Sequence, residues 1–79
     1  LILMRETKAV LDTLKGCLKN KRLKYRDVAK HLGLSEASIK RLFSQEGDLS
    51  LERLEQILAL LDMRLIEFFA LLQEDDSYI

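Results

Sequence analysis

The chain has 79 residues, 48% of them hydrophobic and 33% charged, with thirteen basic and thirteen acidic side chains and a formal net charge of zero. One cysteine excludes an internal disulfide and a cysteine-built zinc site, and no apolar run approaches the roughly 20 residues that span a bilayer. The absence of proline and tryptophan and the presence of only three glycines point to a helical bundle, read as one small domain over residues 1–79 that folds in a reducing cytoplasm, off the membrane.

Zero net charge conceals a division of the chain. Residues 1–44 carry eleven Lys and Arg against four carboxylates, a surplus of plus 7, whereas residues 45–79 carry two Arg against nine carboxylates, or minus 7. Local potential governs the approach of a polyanion, so the basic half can attract one despite the zero total. Ordinary solvated helix faces would give the same tally.

In chain order, residues 5–19 place Thr7, Val10, Leu11, Leu14, Cys17 and Leu18 at steps of three and four, the apolar stripe of a first helix. Cys17 reads there as core packing. Gly16 costs about 1 kcal/mol relative to alanine inside a helix, so it marks either a close helix crossing or simple tolerance. "NKRLK" makes a basic connection with Leu23 tucked inward.

A second helix spans 25–32, "YRDVAKHL", with Val28, Ala29 and Leu32 on one side. Gly33 suits the left-handed position that ends a helix, and Ser35 is a good N-cap for a third helix over about 36–44. At 100° per residue, Ile39 and Leu42 fall on the inward side with Phe43 flanking. Glu36, Ala37, Lys40, Arg41 and Ser44 fall on the opposite side. "QEGDL" is a turn, Ser50 caps a fourth helix with Leu51, Leu54, Ile57, Leu58 and Leu61 as its core stripe, and Arg53 has Glu52 and Asp48 as neighbouring partners. A fifth helix occupies about 64–73; Asp62 is available as its cap, and Arg64 stands where a small polar residue is expected. Its Leu65, Ile66, Phe68, Phe69, Leu71 and Leu72 exceed what one stripe can bury. The acidic end, "QEDDSYI", frays.

Two short helices joined by a glycine-started turn, with Val28, Ala29, Leu32, Leu34, Ile39 and Leu42 inward, describe a helix-turn-helix core over about 24–44. Ala29 is small enough for the two helices to cross closely. Through "VAKHLGLSEASIKRLFS", "SLERLEQILALLD" and "IEFF", from about Leu23 to Leu72, the sequence resembles the Xre family of repressor-type domains related to phage lambda repressor and Cro. The resemblance implies an all-α, five-helix bundle, with the C-terminal helices over about 50–73, that binds double-stranded DNA sequence-specifically as a transcriptional regulator, often as a homodimer.

Carried over residue by residue, the resemblance makes the third helix the reader of the major groove, with Glu36, Ala37, Lys40 and Arg41 aimed at base edges and Ser44 near the backbone. Arg41 or Lys40 suits guanine O6 and N7, Glu36 a cytosine amino group, and Ala37 a thymine methyl. Glu36 equally suits the helix dipole with no DNA present. Where the family commonly has a phosphate-binding glutamine, this chain has Tyr25, preceded by Lys24. Its ring either reaches phosphate or packs on the first helix. Arg22, Arg26 and the N-terminus of the fourth helix at Ser50 are further backbone candidates.

The surplus apolar residues of the fifth helix, Ile66, Phe69 and Leu72, suggest homodimerisation, with "LILM" adding apolar area. The lone His31 has no Cys or carboxylate cluster at ligand spacing, Ser35, Ser38 and Ser44 lack a base partner, and no glycine-rich phosphate loop exists. Neither an enzyme nor a metal or cofactor is implied. The rival reading is a protein-interaction module on the same scaffold, of the antitoxin or adaptor type, without specific DNA binding.

Overall fold

In the computed structural model, which describes residues 2–44 and 49–74, the chain forms five helices: α1 (Ile2–Asn20), α2 (Tyr25–Leu32), α3 (Glu36–Phe43), α4 (Leu51–Leu60) and α5 (Leu65–Glu74). No strand occurs among the described residues. The third and fourth helices start directly after their expected caps, Ser35 and Ser50, and the second spans 25–32 as expected. The first begins three residues early, since no proline, glycine or competing cap separates Ile2 from Arg5. Most of the "QEGDL" turn and the acidic end beyond Glu74 lie outside the described residues.

One core joins all five helices: Leu11, Leu14 and Leu18 from α1, Val28 and Ala29 from α2, Ile39 and Phe43 from α3, Leu54, Ile57 and Leu58 from α4, Leu61 just beyond it, and Phe68 from α5. Among the described residues no polar or charged side chain is buried with them, so the core carries no desolvation cost that needs a partner. The α2 helix packs on α3 and α4, and α1 packs on α5.

Several side chains differ from the reading of the stripes. In α3 the buried pair is Ile39 and Phe43, one turn apart, while Leu42 is half-buried; Phe43 turns toward Tyr25 of α2, and Leu42 toward a groove beside α4 and α5. Leu51, counted with the α4 stripe, is 68% exposed. As the first residue after the Ser50 cap, it stands on the rim of that groove instead of under the next helix. Thr7 lies on the inward side of α1 and is exposed for the same reason, since the groove leaves it uncovered. Cys17 packs at the edge of the core, half-buried, and that burial raises its thiol pKa. A methyl group on Gly16 would meet nothing within 4 Å, which leaves tolerance and not a close crossing as the reason for that glycine.

The α1–α2 and α4–α5 connections share one geometry, forty residues apart. Leu23 N–H donates to the Leu18 carbonyl (2.9 Å) and Arg22 N–H to Lys19 (3.0 Å); Met63 N–H donates to Leu58 (3.0 Å) and Asp62 N–H to Ala59 (3.1 Å). These are the paired bonds of a Schellman stop, whose left-handed residue is usually glycine. Here it is Arg22 at φ 59° and Asp62 at φ 54°. The next helix is then held by a carboxylate three residues in: Lys24 N–H donates to Asp27 Oδ2 (2.8 Å), and Arg64 N–H to Glu67 Oε1 (2.7 Å). Asp62 therefore ends α4 instead of capping α5, and Arg64 holds the cap position through its own backbone N–H. Lys24 and Arg64 offer no side-chain acceptor, so only half of each capping box forms.

Candidate nucleic-acid interface

The α3 helix begins at a complete cap. Ser35 is extended, at φ −77° and ψ 156°, and its Oγ accepts from Ser38 N–H at 3.1 Å, with the two hydroxyls 2.9 Å apart. Ahead of it, Gly33 takes the left-handed conformation at φ 71°, where a side chain would be strained. Leu34 N–H closes the turn on the Ala29 carbonyl at 2.9 Å. The end of α2 and the start of α3 are thus tied together through backbone groups.

Exposure around α3 follows the helical period. Ile39 and Phe43 are buried and Ser38 and Leu42 half-buried, whereas Glu36, Ala37, Lys40, Arg41 and Ser44 are all exposed. The exposed five span an arc of about 140° at 100° per residue. Among the described residues no ion pair engages Glu36, Lys40 or Arg41; Lys8 with Asp12, at 3.9 Å on α1, is the pair that forms. Glu36 and Lys40 stand one turn apart without pairing. Each charge matches the nearer end of the helix dipole, Glu36 in the first turn and Lys40 and Arg41 in the last.

The backbone candidates divide by what their donors already do. Arg22, Lys24 and Arg26 are exposed around the start of α2, and their cationic side chains have no carboxylate partner among the described residues. The Ser50 hydroxyl accepts from Arg53 N–H at 3.0 Å and keeps its own proton for an acceptor such as a phosphate oxygen. Ser44 Oγ instead donates to the Arg41 carbonyl at 2.8 Å, so its proton is committed at the end of α3. Arg53 Nη1 donates to Gln56 Oε1 at 3.0 Å and does not pair with Glu52; Asp48 is outside the described residues.

Tyr25 packs its ring on Phe43 of α3, centroids 5.1 Å apart and planes at 32°, at the edge of the core. Tyr25 is half-buried, and its hydroxyl has a raised pKa because burial takes solvation from the phenolate. On α5, Ile66 is 66% and Phe69 41% exposed, and Ala70 is exposed beside them; Phe69 also lines the groove that holds Leu42 and Ser50. Leu72, grouped with Ile66 and Phe69 by its place in the sequence, is half-buried and packs on the core. Ala70 was missed because a small residue adds little to an apolar count, although its spacing from Ile66 signals a shared face.

An exposed polar helix set by a tight turn against a supporting helix, inside a five-helix bundle, defines a helix-turn-helix protein of the DNA-binding class. Residues 13–74 match the family model of the Cro/C1-type HTH DNA-binding domain, and the chain belongs to that family. Comparison with curated proteins and with solved structures gives no match. The family is not known to be enzymatic, and among the described residues no helix is long and apolar enough to cross a membrane.

Proposed function

We propose that the protein is a sequence-specific transcriptional regulator that occupies an operator in cytoplasmic double-stranded DNA as a homodimer. The reading helix is α3, inserted in the major groove. The observation that carries this reading is its outward arc: Glu36, Ala37, Lys40 and Arg41 are exposed and unpaired among the described residues, while Ile39 and Phe43 fix the helix from beneath. Arg41 and Lys40 suit guanine, Glu36 accepts from cytosine, and Ala37 meets a thymine methyl. Arg22, Lys24, Arg26 and the Ser50 hydroxyl bind phosphates and set register without reading sequence.

The homodimer reading is supported by the outward face of α5, where Ile66, Phe69 and Ala70 are apolar and uncovered. A twofold pairing there would hold two copies of α3 about 34 Å apart for a palindromic site. Selection from random duplex DNA followed by salt titration tests the whole reading. Enrichment of one palindromic sequence is expected, with log affinity falling by about 0.9 per phosphate contact for each tenfold rise in salt. No enrichment, together with undetectable affinity at low salt, would refute DNA reading and leave the protein-interaction role.

A further inference from the structure

We propose that Tyr25 is a positioning residue that sets the angle of α3 through its ring contact with Phe43, and not a phosphate ligand. The inference rests on the DNA-reading role proposed for α3. Tyr25 is the first residue of α2 and Phe43 the last of α3. Near the turn the two helices are tied by Leu34 N–H on the Ala29 carbonyl. Their ends remote from the turn are tied by the ring stack at 5.1 Å. Phe43 is itself 2% exposed, so the contact joins the last turn of α3 to the start of α2 at the edge of the core.

The leverage is greatest there. An eight-residue helix is about 12 Å long, so a shift of about 2 Å at its far end rotates it by about 10°. Lys40 and Arg41 lie in that last turn, and their backbone would move by about 1 to 1.5 Å. A bidentate contact with a base edge requires donors and acceptors within about 3 Å, and such a shift breaks it. Attraction between exposed cations and the phosphate chain falls off over about 8–10 Å and hardly changes. Loss of the ring therefore removes discrimination between sequences while leaving general affinity.

The test compares Tyr25→Phe, which keeps the ring and loses the hydroxyl, with Tyr25→Ala, each on the selected operator and on an unrelated duplex. Tyr25→Phe should match the parent protein. Tyr25→Ala should lose about tenfold on the operator and less than about twofold on the unrelated duplex. Equal losses by both variants on both duplexes would show a hydroxyl–phosphate contact and overturn the proposal. A readout without DNA separates this from failure of the DNA reading itself: residual dipolar couplings should show α3 rotated against α4 in Tyr25→Ala and unrotated in Tyr25→Phe. An unrotated α3 in Tyr25→Ala overturns the proposal whatever the protein binds. Should that variant not fold, Tyr25→Leu, which keeps apolar bulk without a ring, takes its place in both measurements.

Discussion

Arg22 shows how one residue can serve two demands that pull against each other. Its backbone is left-handed, at φ 59°, in a position where glycine avoids a clash with Cβ, yet its side chain is a free cation beside the start of α2. Replacement by glycine should raise unfolding free energy by about 0.5–1 kcal/mol in urea titration, while weakening binding to all DNA sequences alike and lowering the salt slope by about 1. Asp62→Gly, at the matching turn before α5, should give the stability gain with no loss of DNA affinity. Arg41 in α3 and Lys24 ahead of α2 divide in another way. Arg41→Ala should cost about 1–3 kcal/mol on the operator and relax preference at one base pair, whereas Lys24→Ala should weaken every sequence by a similar factor. Equal, sequence-independent losses in a competition assay would take Arg41 out of the base-reading set.

Among the helices, α1 and α3 are held by different means. The α1 helix is long and anchored by Leu11, Leu14 and Leu18, so the exposed Gly16 is only a local weakness. With open space around it, Gly16→Ala should stabilise the fold by about 1 kcal/mol, read as a higher urea midpoint with an unchanged slope. The α3 helix is only eight residues long, too short to persist without its cap and its packing. Ser35→Ala removes the acceptor for Ser38 N–H and should cost about 1 kcal/mol, with the loss of amide protection confined first to α3 and the turn before it. Uniform loss across all five helices would show that the cap has no special hold on α3.

Over the whole molecule, α2 and α3 present a different surface from α5. Exposed cations gather on α2 and α3, and α5 bears the exposed Ile66 and Phe69, so the proposed operator contact and the proposed dimer contact use different helices. Ile66→Lys combined with Phe69→Lys should give a monomer in sedimentation without unfolding it, since neither side chain belongs to the buried core. Operator affinity should then fall and lose its steep dependence on protein concentration. A parent protein that already sediments as a monomer at high micromolar concentration, without DNA, would remove the dimer from this account.

Local chemistry decided most of the fold. Gly33, Ser35 and Ser50 marked their boundaries because caps and left-handed turns depend on a few adjacent atoms, and the outward arc of α3 was legible because its helical period separates polar from apolar side chains. The left-handed turn at Arg22 carried no such sign, since arginine does not favour that conformation, and the one at Asp62 was ambiguous, since aspartate suits a left-handed turn and a helix cap alike. Tertiary structure alone decided what periodicity leaves degenerate. Phe43 is buried in the core beside Tyr25 whereas Leu42 is only half-buried; Leu51 stays exposed on the rim of a groove; and Leu72 packs on the core while Ile66 and Phe69 stay exposed. An apolar stripe states which side chains seek burial, and only the arrangement of neighbouring helices determines which of them obtain it.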